Sequence, residues 1–273
     1  FRMVCRDFIL PEGCKPCLFI FAKLILPYPI IRGDTPMGQR KNSCWILPGY
    51  LEGLEGAGTI PIILPLTADG ADIAQIVDLC NGFLFTGGQD VSPQLYREEK
   101  PTCGELCPAR DSLEWELLNR TLEQHKLILG VCRGIPFLNA CLGGTFYQDL
   151  PKEHLSEIKH SMKAPHDRAA YTVRILPDTP PAALLKKQEL GVNNCHRQAI
   201  KTLAPGLVEM ARSTDDLVKA VYLPGKTFAW AVQRHPEISF HTDEDSRKIF
   251  EAFVAAAGKD RWLTTKTMAK RNT

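Results

Sequence analysis

The sequence predicts one α/β domain built on a parallel-rich mixed central sheet with helices on both faces. Three observations carry that expectation. Short apolar runs alternate with helical stretches between Trp45 and Gly258, the pattern of strands buried on both faces by crossover helices. The 273 residues, 44% hydrophobic and 23% charged, suffice for a single large domain with a full core. Finally, Gly87, Cys132 and His235 all fall just past expected strand ends, where open parallel sheets bind their ligands.

Along the chain, residues 1–23 are an N-terminal segment without a firm assignment, 24–258 the domain and 259–273 a basic tail. The chain opens on Phe1 rather than Met, as a trimmed, fused or mis-started product would. Cys17 to Ile31 is strongly apolar. Lys23 interrupts it, Pro27 and Pro29 break any helix, and no small-residue cleavage site follows, which argues against a signal peptide. It also falls short of the roughly 20 residues of a membrane span.

Leu24 to Ile31 is the candidate first strand, and Arg32 to Asn42 a polar loop. Trp45 to Ala57 reads as a helix and Thr59 to Leu64 as a buried strand through Ile60, Ile62 and Ile63. Asp72 to Cys80 puts Ile73, Ile76, Val77 and Cys80 on one helical face. Gly82 to Thr86 is a short strand that enters a glycine loop. Asp111 stands where it would cap a helix running through Gln124, and Leu127 to Val131 is the next strand. Tyr171–Leu176, Leu207–Ala211, Leu217–Leu223 and Thr227–Val232 are strands of a mixed second half. The last helix starts near Thr242 and Asp243 and ends at Gly258.

Composition narrows the function. A net charge of +2 gives no nucleic-acid footprint, which needs a clustered basic surface. Ten cysteines include Cys14-x-x-Cys17 and Cys103-x-x-x-Cys107, a spacing that a four-thiolate zinc site would use. The preferred expectation is free thiols in a reducing cytoplasm, with no metal and no cofactor.

Cys132 is the centre of the reading. Leu127-Ile128-Leu129-Gly130-Val131 leads into Cys132-Arg133-Gly134 and then a helical stretch, the thiol counterpart of a nucleophile elbow. Glycines 130 and 134 leave room for the sharp turn, since a Cβ at either would meet the neighbouring strand or helix. A helix N-terminus favours the thiolate over a thiol whose free pKa is about 8.5. The bland alternative is a buried structural cysteine. Downstream, the apolar run Phe228 to Val232 ends near His235-Pro236-Glu237. A thiol nucleophile needs a base, and the base needs an acceptor that fixes its tautomer. Pro236 biases His235 toward an extended backbone. A lone His before Pro reads equally as a loop residue; together with the elbow it reads as the base. Thr86-Gly87-Gly88-Gln89-Asp90 is either an ordinary turn with an Asp cap or the donor loop of an oxyanion hole. In the second case the N–H of Arg133 pairs with that of Gly87 or Gly88.

With Leu142-Gly143-Gly144-Thr145-Phe146-Tyr147-Gln148-Asp149-Leu150, Arg110-Asp111 and Val192 to Ile200, these stretches resemble the class I glutamine amidotransferase-like, flavodoxin-like fold. More closely, they resemble its peptidase C26 or γ-glutamyl-γ-aminobutyrate hydrolase branch, from about Trp45 to Gly258. The resemblance implies Cys132, His235 and Glu237 as catalytic residues, backbone donors at Gly87, Gly88 and Arg133, and substrate contacts at Asn193 and His196. The last two also read as a helix-start cluster. The Arg133 side chain would meet a substrate carboxylate or anchor its loop. Three departures border the site: Pro136 stands where a glutamine is usual, Arg197 where a second histidine is, and Arg234 where a tryptophan is. The implied activity is hydrolysis of the γ-glutamyl amide of a small molecule through a Cys132 thioester. The rivals are a glutaminase subunit that delivers ammonia to a separate synthetase, and a catalytically dead binding protein. The implied partner is a small γ-glutamyl substrate, with no nucleic acid and no membrane, and a homodimer remains open.

Overall fold

The computed structural model describes residues 17–21, 46–64, 69–98 and 102–269, with 17–21 and 259–269 as backbone. The first half runs β1 (Cys17–Phe21), α1 (Pro48–Gly56), β2 (Ile60–Ile63), α2 (Gly70–Leu79), β3 (Gly82–Phe85), α3 (Pro108–Glu123), β4 (Leu127–Val131), α4 (Gly134–Cys141), β5 (Thr145–Tyr147) and α5 (Leu150–Glu153). The second runs β6 (Tyr171–Ile175), α6 (Pro180–Leu185), β7 (Glu189–Val192), β8 (Ala199–Thr202), β9 (Val208–Ser213), β10 (Val218–Tyr222), β11 (Ala229–Val232), α7 (Pro236–Ser239) and α8 (Glu244–Ala269).

Nine strands form one sheet in the order β2-β1-β3-β4-β11-β10-β9-β6-β7, and β5 pairs with β8 separately. The strands from β2 to β11 are parallel, and those beyond β11 alternate in direction. Period-2 alternation divides the core between the two faces. Phe83, Phe85 and Ile128 pack with Val77, Leu113, Leu117 and Phe137 on one side. Leu84, Leu127, Leu129 and Val131 pack with Leu54, Ile249, Phe250 and Phe253 on the other. Each such side chain contributes roughly 1.5–3 kcal/mol by leaving water, so β3 and β4 form a rigid base for whatever follows them.

This arrangement is the parallel-rich mixed sheet with helices on both faces that the sequence predicts. Several expected elements shift. The slot between β2 and β3 belongs to Cys17–Phe21, ahead of the expected Leu24 to Ile31, which lies outside the described residues. β2 is an edge strand among the described residues, so Ile60, Ile62 and Ile63 are 50%, 38% and 42% exposed instead of buried. Asp111 does not cap α3, which starts at Pro108; its carboxylate turns inward. Gly258 does not end α8, whose backbone continues to Ala269. Strands β5, β7 and β8 were not expected at all; each is only three or four residues long, too short for a periodic signal.

Candidate active site

β3, β4 and β11 lie side by side and parallel, with Phe85 opposite Gly130 and Val131 opposite Val232. Their carboxyl ends therefore bring the glycine loop, Cys132 and His235 together. Cys132 has φ +52°, the left-handed region, which costs a non-glycine residue on the order of 1–2 kcal/mol. Its N–H donates to the Val232 carbonyl at 2.9 Å and holds the turn. An added Cβ at Gly130 would come within 2.9 Å of Ala231 Cβ, and one at Gly134 within 2.7 Å of the Phe85 carbonyl oxygen. Both glycines are thus required by close approach, as the elbow demands.

His235 Nδ1 lies 2.7 Å from Glu237 Oε1, with the carboxylate fully buried. Burial opposes a charged imidazole. The nearby Cys132 and Glu237 charges and hydrogen bonds outweigh it and raise His235 well above its ordinary pKa. The other ring nitrogen, Nε2, sits 3.5 Å from the Cys195 carbonyl oxygen, and Cys132 Sγ is 3.7 Å from the same oxygen. Thiol and imidazole thus share one small space.

The glycine loop is fixed from behind. Arg110 donates through Nη1 to the Gly87 carbonyl at 3.1 Å and through Nη2 to the Thr86 carbonyl at 2.9 Å. Its Nε pairs with Glu114 at 2.7 Å, both side chains being 0% exposed. Glu114 also pairs with Arg133, which reaches Asp111; Asp111 in turn accepts from Ser92. The Arg133 side chain is therefore the loop anchor, not a free substrate ligand. Gly87 N–H donates to Tyr50 Oη at 3.0 Å. Burial, then the Glu237 carboxylate, pushes that phenol well above its usual range. Of the two loop donors expected, Gly87 is thus committed within the protein, while the Gly88 backbone lines the cavity.

That cavity, of about 530 Å³, is lined by Gly88, Asp90, Cys132, Pro136, His196, Arg197 and Gln198 among others. His196 faces it as expected. Asn193 does not: its amide donates to the carbonyls of His166 and His235 and accepts from His235 N–H. It sets the His235 backbone, and no helix starts there. Arg197 is tied to the Thr102 carbonyl and to Asp149, both at 2.8 Å. Arg234 is buried and pairs with Asp243, away from the cavity lining. Pro136 removes the N–H that would reach the Cys132 carbonyl; that oxygen accepts instead from Ile135 N–H at 3.2 Å and Gln233 Nε2 at 3.3 Å.

Sequence reasoning missed Tyr50, Glu114, His160 and Lys219, and gave Arg110 no role. All are buried polar groups, and apart from the Arg110–Glu114 pair their partners are remote in the chain, so little in the local spacing marks them. The four-thiolate zinc alternative fares differently. Cys14 lies outside the described residues, the Cys103 thiol is packed against Tyr96, Gln148 and Gln198, and no cluster of three or more metal-ligating side chains occurs among the described residues. No described helix is long and apolar enough to cross a membrane.

An elbow thiol and a carboxylate-held imidazole thus lie together above a sheet of this topology. Residues 32–237 match the Peptidase C26 family model, and the chain belongs to that family. It is similar to protein NtpR of Enterococcus hirae, 37% identical over 209 residues that cover 76% of this chain and 87% of the relative. It is also similar to γ-glutamyl-γ-aminobutyrate hydrolase PuuD of Escherichia coli, at 32% identity over 216 residues, 76% of this chain and 84% of the relative. The glutaminase domain of Trypanosoma brucei CTPS, solved with bound acivicin, shares the fold with a TM-score of 0.59 at 17% identity, covering 90% of this chain and 94% of that one. The family and these relatives support a hydrolase of the glutamine amidotransferase type.

Proposed function

We propose that the protein hydrolyses the γ-glutamyl amide bond of small γ-glutamyl compounds, with Cys132 as nucleophile, His235 as base and Glu237 as its orienter. The observation that carries this reading is the convergence of Cys132 and the His235–Glu237 pair at the ends of adjacent parallel strands. The Cys132 thiolate attacks the amide carbon while His235, protonated, gives its proton to the departing amine; the C–N bond breaks and a thioester remains. Water, deprotonated by His235, then attacks the thioester, releasing glutamate and returning the proton to the Cys132–His235 pair. Backbone N–H groups of Gly88 and Arg133 stabilise the oxyanion of both steps. Tyr50, by holding the Gly87 N–H, leaves that role to Gly88.

Asn193 acts on His235 and not on substrate, whereas His196 contributes to the wall that the substrate meets. A hydrolysis screen of γ-glutamyl amides beside free glutamine tests the reading. Release of glutamate from γ-glutamyl amides faster than from glutamine is expected. Turnover of glutamine alone, boosted by a synthetase, would favour the ammonia-delivering alternative.

A further inference from the structure

Behind the cavity wall lies a buried lysine that the proposed chemistry does not use. Lys219, on β10, is 3% exposed. Its Nζ stands 3.1 Å from His160 Nδ1 and 3.0 Å from His196 Nε2, and 5.3 Å from the centre of the Tyr171 ring. The tautomers follow from the other ring nitrogens. His160 Nε2 donates to Asp215 Oδ2 at 2.7 Å, and His196 Nδ1 donates to the Gln198 carbonyl at 3.0 Å. Both rings therefore turn a lone pair toward Lys219, an arrangement that only a donor can satisfy. The lysine is also tied to the elbow through the backbone. Its carbonyl accepts from Gln233 N–H at 2.8 Å, and Gln233 Nε2 donates to the Cys132 carbonyl.

We propose that Lys219 is a positioning residue for the Cys132 thiol: seated between His160 and His196, its ammonium keeps both rings neutral and sets a positive charge behind the wall of the cavity that Cys132 and His196 line, where it favours the thiolate. The role rests on the reading of Cys132 as nucleophile. Burial, then the Lys219 charge, lowers the pKa of both His160 and His196, so His196 does not compete with His235 as a base. Burial also lowers Lys219 itself, to about 7, against the opposing pull of Asp215 and Cys132. The other charged or titratable groups around the site are His154, which with His160 faces Asp215, and His235, which faces His196. Because Lys219 titrates near neutral pH, the assistance fades as pH rises through that range.

The test is the pH dependence of Cys132 alkylation by iodoacetamide, followed by peptide mass spectrometry in the wild type, Lys219→Met and Asp215→Asn. The pH of half-maximal alkylation should rise in Lys219→Met by on the order of one unit. Asp215→Asn should shift it the same way by less, since loss of that carboxylate discharges the lysine at neutral pH. A purely structural lysine would lower thermal stability and leave the alkylation curve in place. An unchanged curve in folded Lys219→Met overturns the proposal, and if that variant does not fold, an unchanged curve in Asp215→Asn overturns it equally. Wild-type Cys132 reacting no faster than the other cysteines would instead remove the nucleophile reading beneath it.

Discussion

The wall that carries Cys132 is made by the backbone ends of three adjacent parallel strands, whereas the wall facing it is gathered side chain by side chain from Asp149, His196, Arg197 and the groups behind them. On the first wall, register and close-packed glycines fix positions, and a fully buried ion network clamps the loop from behind. On the second, imidazoles, a lysine and largely buried carboxylates hold one another. The first is a place for chemistry that must not move. Under the proposed function, the second is where substrate preference and pH response would be adjusted.

Cutting the clamp should have the largest effect. Glu114→Gln leaves Arg110 and Arg133 buried with less compensating charge, and breaking such a pair costs about 3–5 kcal/mol. Denaturant unfolding should show a loss of that size. A change within experimental error would mean that the network does not hold the wall.

Next in size is the His235–Glu237 contact. Glu237→Gln should fold and lower kcat by roughly a hundredfold or more, with little change in KM, because the imidazole loses its orienting acceptor and not its substrate contacts. Chelators should leave activity unchanged. Inactivation on chelation would require a metal and a different account of the cysteines.

These contrasts also explain what could be read from the sequence. The elbow, the strand before it and His-Pro-Glu are contiguous runs whose chemistry and geometry are written within ten residues. Apart from the Arg110–Glu114 pair, four residues apart, the side chains of Tyr50, Arg110, Glu114 and Lys219 make hydrogen bonds to groups 19 to 59 positions away, as in the Arg110 contact to Thr86 and the Tyr50 contact to Gly87. A sequence without its fold carries no mark of such meetings. The same holds for β2, whose three isoleucines read as a core strand until its place at the sheet edge is known. Asn193 shows the opposite error: its nearness to the site was legible, but not that its amide is spent on His166 and His235.

The smallest expected effect lies at Pro136, on the cavity lining next to the elbow. The Cys132 carbonyl already has other donors, so proline there costs less than the ~3 kcal/mol of a helix interior. Pro136→Gln should add an amide toward the polar end of glutamine and raise kcat/KM for it about fivefold, near 1 kcal/mol. No gain would restrict Pro136 to a backbone role.

The central claim is that a γ-glutamyl group passes through a covalent bond to Cys132. Intact-mass spectrometry of the protein, acid-quenched during turnover of a γ-glutamyl amide, measures this directly. The wild type should carry one glutamyl group that maps to the peptide containing Cys132, and Cys132→Ala should carry none and have no turnover. Substantial hydrolysis by Cys132→Ala, or a glutamyl adduct on another residue, would contradict the account.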